Sequence, residues 1–381
     1  MAKNFNFVAC SLLLALFSLF LLAPPSPCHA HILKFCKFNA IYQLGDSISD
    51  TGNLIRESPQ SPFARLPYGE TIFNKATGRC SNGLLMIDYI ALSAGVPLLD
   101  AYLNLNATHS HGHGVNFAVA GSTALPVNVL LEKRILAPVT NSSLNTQLDW
   151  MFTYFNETCP KLYEGYCYEK LKRSLFMVGE IGGNDYNYAL FQGKTLEEVK
   201  AMVPDVVQAI KDAATRVIEN GARRVIIPGN FPIGCFPIYL TGFQTNDSTA
   251  YDELHCLKGL NNFSMYHNEC LQQAIQELKL QYPNVAIVYG DYYNAFLWLL
   301  RHACLLRFDV KSVQKACCGV GGEYDFSLTR MCGAPNVPVC GNPHERISWD
   351  GVHLTQKAYK IMASWLIRHI FPKLQCFHHW F

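Results

Sequence analysis

The most constraining feature of this sequence is the alternation of short apolar runs with longer stretches of helical periodicity. Runs rich in β-branched and aromatic residues predict five buried strands, at residues 40–44, 115–119, 175–178, 224–228 and 285–289. Apolar residues with the period of a helix predict helices at 83–93, 144–155, 195–219, 251–280, 295–306 and 355–370. Buried strands that alternate with helices are typical of a parallel sheet covered on both faces. The sequence therefore predicts an α/β fold.

The first thirty residues have the properties of a secretory signal peptide. Their one charged side chain is Lys3, which precedes an apolar run at 7–23 and small residues up to Ala30. This run is shorter than the roughly 20 residues that span a bilayer. We therefore expect residues 1–30 to be a signal peptide cleaved after Ala30, with an uncleaved anchor helix as the alternative. No linker-like segment interrupts the later alternation, so we expect a single domain at 31–381.

The cysteine content favours an oxidising compartment. The chain has 15 cysteines, and two of them, Cys10 and Cys28, lie within the predicted signal peptide. The remaining number is odd, so at least one thiol is free or pairs outside the chain. The spacings suggest local disulfides between Cys159 and Cys167 and among a later cluster formed by Cys317, Cys318, Cys332 and Cys340. A zinc site is the alternative for that cluster.

Glycosylation motifs agree with passage through the secretory pathway, with the cell wall or the vacuole as the destination. Five Asn-x-Ser/Thr sequons without an intervening proline begin at Asn106, Asn141, Asn156, Asn246 and Asn262. Each one, if used, must lie at the surface. The net charge is only +2, and no long run of like charges occurs. A nucleic-acid partner or binding through a polybasic membrane surface is therefore not expected.

Two segments at opposite ends of the chain carry the side chains of a hydrolytic serine site. Ser47 follows the first predicted strand directly, which places its hydroxyl at the strand's carboxyl end. Asp350 precedes His353 by three residues, just before the last predicted helix. A nucleophilic serine needs a base, and the base needs a carboxylate that fixes its tautomer and stabilises the imidazolium. Turn-forming residues without a catalytic role are the alternative for each segment taken alone.

Two glycine-containing segments between these ends could bind an oxyanion. Gly121 follows the second predicted strand, and its backbone N–H is not shielded by a side chain. Asn184 offers a side-chain amide on a glycine-rich loop after the third predicted strand. Glycine after a strand is often only a turn. What gives these positions weight is their order and their placement after strands of one sheet.

Together these segments resemble the GDSL esterase/lipase family, the plant branch of the SGNH hydrolases. The blocks GDSISDTGN, NFAVAGSTA, IGGND and WDGVH carry the resemblance, which extends over residues 38–370. It implies a flavodoxin-like three-layer α/β/α sandwich with a mostly parallel sheet. One departure is Leu354, because family members usually have proline after the histidine.

The resemblance also implies roles for individual residues. It makes Ser47 the nucleophile, His353 the base and Asp350 its carboxylate. The oxyanion hole would consist of the Ser47 N–H, the Gly121 N–H and the Asn184 side chain, and neither a metal nor a cofactor would be needed. Longer stretches, such as GEIGGNDYNYALFQGKT, are similar to family members that deacetylate a monoterpene indole alkaloid. The implied substrate is a small-molecule ester, an acetylated indole alkaloid.

Two other functions remain open at this stage. An acyltransferase, or a catalyst in which deacylation triggers a rearrangement, could use the same three side chains. An inactive homologue that only binds ligands is the second possibility. The presence of serine, aspartate and histidine together favours an active esterase.

Overall fold

The computed structural model describes residues 27–106, 112–158 and 165–377. Five strands form one parallel sheet in the order β2-β1-β3-β4-β5. Their bounds are β1 Ile41–Leu44, β2 Gly114–Asn116, β3 Leu175–Val178, β4 Arg224–Pro228 and β5 Ala286–Gly290. This order is that of the flavodoxin-like doubly wound fold. The predicted α/β fold with a parallel sheet is confirmed.

Helices connect the strands and cover the sheet. In chain order the described α-helices are α1 Leu54–Glu57, α2 Met86–Ala94, α3 Val127–Glu132, α4 Leu144–Thr158, α5 Gly165–Lys172, α6 Gly183–Phe191, α7 Leu196–Lys200, α8 Val203–Glu219, α9 Pro237–Gly242, α10 Lys258–Gln281, α11 Tyr292–Arg301 and α12 Gln356–Ile370. Short 3-10 helices include Pro27–Cys36, Pro62–Ala64, Ile233–Cys235, Ser248–Ala250, Pro343–Glu345 and Phe371–Lys373.

The helices form two layers, one on each face of the sheet. On one face α12 packs against α2 and α11, and on the other face α8 packs against α4 and α10. The strands between these layers are almost completely buried, which explains why they are apolar at successive positions rather than at alternate ones. The three-layer α/β/α arrangement is confirmed.

The sequence predicted one continuous helix at 195–219, and this prediction is wrong. α7 ends at Lys200 and α8 begins at Val203, so the helix is interrupted. Pro204 lies in the first turn of α8. A proline has no N–H to donate and its ring clashes with the carbonyl four residues earlier, here that of Lys200. Proline is tolerated in the first turn of a helix, which is where the interruption puts it.

The helix predicted at 251–280 begins later than expected, at Lys258. The preceding residues form a compact turn in which Tyr251 and Leu257 pair as an antiparallel bridge. His255 in this turn has a positive φ of 57°, and Cys256 is joined to Cys235 by a disulfide. These constraints prevent the first residues from adopting helical dihedrals. Most other predicted bounds differ from the observed ones by a few residues, as helix and strand ends commonly do.

The predicted signal peptide falls largely outside the described residues. Residues 1–26 are not described, and the predicted cleavage point after Ala30 lies within the described 3-10 helix Pro27–Cys36. Among the described residues, no helix is both long and apolar enough to cross a membrane. The division into residues 1–30 and a single domain at 31–381 stays a prediction.

Candidate active site

The segments that carry the predicted serine, glycine and asparagine meet at one edge of the sheet. Ser47 follows the carboxyl end of β1, Gly121 follows β2, and Asn184 follows β3. Because β1 lies between β2 and β3, the chain moves to one side of β1 to form β2 and then crosses to the other side to form β3. Such a switch in strand order opens a crevice at the carboxyl ends, where open α/β sheets bind ligands.

Asp350 and His353 form a buried pair at the start of the segment that leads into α12. Nδ1 of His353 lies 2.7 Å from Oδ2 of Asp350. The other carboxylate oxygen, Oδ1, accepts hydrogen bonds from the backbone N–H groups of Val352 at 2.9 Å and His353 at 2.7 Å. Burial alone would raise the pKa of Asp350, but His353 and these N–H groups outweigh it and lower that pKa. The carboxylate therefore stays ionised and orients the imidazole.

The second ring nitrogen of His353 is available for proton transfer. Nε2 is buried and has no hydrogen-bond partner among the described residues. The Ser47 hydroxyl is therefore not hydrogen-bonded to it in this resting arrangement, a contact that commonly tightens only when substrate binds. His353 nevertheless acts on the residue beside Ser47, because its charge opposes the rise in the Asp46 pKa that burial causes.

The serine lies in a tight turn held by backbone and side-chain contacts. The N–H groups of Ser49 and Asp50 donate to the Asp46 carbonyl, and Oδ1 of Asp46 accepts from the N–H of Ile48 at 3.0 Å. Gly45, just before this turn, lies so close to its surroundings that an added Cβ would be 2.9 Å from the Glu180 carbonyl oxygen. The glycine of the motif is thus required by close packing between the loops after β1 and β3.

Two backbone donors point to an anion site in this region. Within the described part of the chain, no hydrogen bond uses the N–H of Ser47 or the N–H of Gly121. Gly121 has a positive φ of 83°, and its carbonyl oxygen accepts a hydrogen bond from the Tyr188 hydroxyl at 2.7 Å. The carbonyl is thereby fixed. Free N–H groups held in place are the donors that stabilise an oxyanion.

Asn184 differs from its predicted setting. It lies in the first turn of α6, not on a glycine-rich loop. Its Nδ2 donates to the Ser122 carbonyl oxygen at 2.9 Å and to Oδ2 of Asp46 at 3.1 Å. Both amide hydrogens are therefore engaged in this structure. Asn184 thus links the segment that carries Ser47 to the segment that carries Gly121. It would donate to an oxyanion only by giving up one of these two acceptors.

Four buried carboxyl groups lie in the segments that follow β1 and β3. They are Asp46, Asp50, Glu180 and Asp185. Burial raises the pKa of each, to about 7 for Asp185, and the charge of Asp46 raises the pKa of Glu180 further. Asp185 also accepts hydrogen bonds from the N–H groups of Ala124 at 2.8 Å and Leu125 at 2.9 Å. The protonation of these four carboxyl groups therefore depends on how closely the segments after β1 and β3 pack.

The sequence reasoning missed Tyr68, which contacts the Asp350–His353 pair. The hydroxyl of Tyr68 donates a hydrogen bond to Oδ2 of Asp350 at 2.8 Å, across 282 residues of sequence. Tyr68 lies between a proline and a glycine, and a tyrosine in such a turn carries no chemical signature in the sequence. Only the folded arrangement identifies it.

The cysteine cluster forms disulfides and not a metal site. Cys317 pairs with Cys340 and Cys318 pairs with Cys332, which confirms the predicted local bridges in that loop. Two further disulfides are Cys235–Cys256, which spans 21 residues, and Cys36–Cys376, which links residues 340 apart in sequence. Cys167 is also disulfide-bonded, while Cys159, its predicted partner, lies outside the described residues. Three described cysteines are free: Cys80, Cys270 and Cys304.

The five sequon asparagines are all exposed, as glycosylation requires. They are Asn106, Asn141, Asn156, Asn246 and Asn262. Glycosylation itself stays a prediction.

Comparison with known proteins places the chain within a family. The family model for GDSL-like lipase/acylhydrolase matches residues 41–366. Acetylajmalan esterase 2 from Rauvolfia serpentina is 46% identical over 94% of this chain and 97% of the relative. Acetylajmalan esterase 1 from the same plant is 45% identical over 90% of this chain and 89% of the relative. A GDSL esterase/lipase from Arabidopsis thaliana is 46% identical over 91% of this chain and 93% of the relative.

These matches span both ends of the sheet and all four motif blocks. The chain belongs to the GDSL lipase/acylhydrolase family, and it is a carboxylic ester hydrolase that acts on a small-molecule ester.

Proposed function

We propose that this hydrolase is a secreted serine esterase that removes an acetyl group from an indole alkaloid through an acyl-enzyme. The observation that carries the proposal is the Asp350–His353 pair, in which Nε2 has no partner among the described residues and the imidazole is close enough to Asp46, next to Ser47, to affect its pKa. Asp350 holds the proton of His353 on Nδ1, so Nε2 is the basic nitrogen. Two unused backbone N–H groups, those of Ser47 and Gly121, complete the arrangement.

The proposed reaction proceeds in two halves. Nε2 of His353 takes the proton of the Ser47 hydroxyl as the serine oxygen bonds to the ester carbon. The carbonyl oxygen becomes an oxyanion that accepts from the Ser47 and Gly121 N–H groups and from the Asn184 amide. The C–O bond to the alcohol then breaks, and His353 returns the proton to the leaving alcohol. Water attacks the acetyl-serine in the same way, which releases acetate and restores the Ser47 hydroxyl.

The substrate proposal is supported by the relatives. Two of them are named for an acetylated alkaloid, and this chain covers about nine tenths or more of each. We therefore propose a short acyl group on a bulky polycyclic alcohol in preference to a long-chain lipid.

Secretion is supported by features distributed over the chain. Four disulfides with both partners described would persist only in an oxidising compartment. The exposed sequons agree with this environment, and the cell wall and the vacuole are the proposed destinations.

The assignment of the nucleophile can be tested by labelling and mutation. A fluorophosphonate should modify Ser47 in the wild-type enzyme and abolish activity, and Ser47→Ala should lose both labelling and turnover. Ser49→Ala is the matched control, because it removes a neighbouring buried hydroxyl that has no hydrogen-bond partner among the described residues. It should retain labelling and activity. An adduct located by mass spectrometry on another residue, with activity lost, would refute the assignment.

The substrate can be tested on the same preparation. Purified protein is offered p-nitrophenyl esters of increasing chain length beside an acetylated indole alkaloid, and the products are identified by mass. We expect the highest kcat/KM for acetyl esters, with free acetate as product. Higher kcat/KM for long-chain esters would overturn the acyl preference, and transfer of the acetyl group to an alcohol instead of water would identify an acyltransferase.

A further inference from the structure

Tyr68 contacts the Asp350–His353 pair from a distant part of the chain. Its side chain is almost fully buried, with 1% of its surface exposed. The hydroxyl donates to Oδ2 of Asp350 at 2.8 Å, and the same oxygen lies 2.7 Å from Nδ1 of His353. Oδ2 therefore receives two hydrogen bonds while Oδ1 receives those from the backbone. The carboxylate has a partner on each side and cannot rotate without losing several of them.

Aromatic packing fixes the position of the Tyr68 ring. Phe63 meets Tyr68 edge-on with the ring centres 5.0 Å apart, and it meets the imidazole of His353 edge-on at 5.7 Å. On another side the ring of Trp349 lies 6.3 Å from that of Tyr68. Phe63 thus packs against both the phenol and the imidazole. This geometry keeps the hydroxyl aimed at Asp350.

The disulfide-bonded loop that contains Cys317 and Cys318 also packs against Tyr68. Tyr68 and Trp349 form an apolar cluster with Cys317, Cys318 and Cys332. The two disulfides of this loop therefore hold the wall against which Tyr68 packs.

Electrostatics keep Tyr68 a hydrogen-bond donor. Burial and the charge of Asp350 raise the pKa of the Tyr68 phenol well above its usual value, so it stays protonated across the range of an esterase assay. The other titratable groups that interact with Tyr68, Asp350 or His353 are the Cys80 thiol, the Asp46 carboxyl and the Tyr359 phenol, whose pKa burial raises well above its usual value. Burial raises the pKa of the Cys80 thiol well above its usual value, so it is neutral.

We propose that Tyr68 is a positioning residue that acts through Asp350. It holds the carboxylate in the orientation that the imidazole needs, and it draws part of the negative charge of Oδ2 away from His353. This proposal rests on the roles proposed above for Asp350 and His353. Tyr68 itself touches neither the substrate nor the serine in this mechanism.

Two effects should follow when Tyr68→Phe removes the hydroxyl and keeps the ring. Without the hydroxyl, the negative charge of Oδ2 acts more strongly on the imidazole. This favours the protonated form of the imidazole. The acid limb of the kcat/KM profile should therefore move to higher pH, by about half a unit to one unit. Poorer placement of the carboxylate should lower kcat by roughly tenfold at the pH optimum while KM changes little, since a hydrogen bond to a charged group is lost.

The matched control is Tyr282→Phe. The Tyr282 hydroxyl also donates to a carboxylate, that of Glu219, at 3.0 Å, but it lies just before β5, at the opposite end of the sheet from Ser47. This variant should keep the wild-type kcat and the wild-type pH profile. A second substitution tests the direction of the pH shift. 3-Fluorotyrosine at position 68 is a stronger hydrogen-bond donor than tyrosine, so it should move the acid limb to lower pH.

The experiment measures kcat, KM, the pH profile and Tm with p-nitrophenyl acetate. A Tyr68→Phe enzyme with an unmoved acid limb and a wild-type kcat overturns the proposal. So does a lower Tm with an unmoved acid limb, because that outcome makes Tyr68 a structural residue only. Asp350→Asn in the same series tests the underlying assignment: if it keeps wild-type turnover, the proposed roles of Asp350 and His353 fail whatever Tyr68 does.

Discussion

Removal of the Cys318–Cys332 disulfide should lower catalysis more than removal of the Cys36–Cys376 disulfide does, and removal of Cys36–Cys376 should cost more stability. The loop that holds Cys318 pairs with the segment just before Asp350. The N–H of Cys318 donates to the carbonyl oxygen of Trp349 at 2.6 Å. The first disulfide therefore supports the backbone that places the proposed catalytic carboxylate.

The effects on stability follow from the lengths of the closed loops. Cys318 and Cys332 are 14 residues apart, so chain entropy gives a loss of about 3 kcal/mol when both become serine. Cys36 and Cys376 are 340 residues apart, which gives about 6 kcal/mol on the same basis. Cys36 precedes β1 and thus lies at the edge of the sheet opposite Ser47. Its disulfide should not affect the geometry of the site.

The two double variants, Cys318→Ser/Cys332→Ser and Cys36→Ser/Cys376→Ser, are compared by denaturant unfolding and by kcat/KM below both melting temperatures. Misplacement of Asp350 should lower kcat/KM of the first variant by roughly 10- to 100-fold. The second variant should unfold at lower denaturant and keep near wild-type kcat/KM in its folded fraction. Equal kcat/KM in both folded variants would refute the view that the loop supports the site.

Three further outcomes are expected. Asn184→Ala should lower kcat by roughly 10²- to 10³-fold with little change in KM, and a folded variant that keeps more than about a third of kcat would remove Asn184 from the proposed oxyanion hole. Burial raises the pKa of Asp46 and Asp185, so between about pH 4 and 7 the folded protein holds protons that the unfolded chain releases, and stability falls as pH rises. Burial lowers the pKa of His267 to about 4, so this one group makes stability rise with pH below about pH 6.5. The two carboxyl groups outweigh it, so Tm should be higher at pH 5 than at pH 8. The opposite order would contradict the reasoning. Material expressed in plant cells should begin near His31 and gain gel mobility after N-glycosidase treatment, whereas an intact Met1 with unchanged mobility would refute secretion.

Local sequence patterns were sufficient for the fold class and for the order of the motif blocks. The strands at 175–178 and 224–228 were predicted at their observed bounds, because apolar runs between helices leave few other possibilities. The apolar periodicity did not reveal the interruption of the helix predicted at 195–219, because Pro204 divides a segment whose apolar spacing is continuous. The late start of α10 was not predictable, because the Cys235–Cys256 pairing was unknown.

The sequence proposed the residues of the candidate site but did not predict most of their contacts. Asp350 and His353 are three residues apart, so their contact follows from sequence, and Ser47 was placed by its strand. The resting partners of Asn184, which are Asp46 and the Ser122 carbonyl, were not foreseen.

The sequence by itself determined which chemical groups are present and at which edge of the sheet they emerge. Both depend on short-range patterns, since apolar periodicity locates the strands along the chain and the loops that follow them. Only the tertiary structure decided what those groups touch. Tyr68 meets Asp350 across 282 residues, and the burial that raises the pKa of Asp46 comes from several loops at once. Such contacts form only when distant segments pack together and exclude water, and no local pattern of residues encodes them.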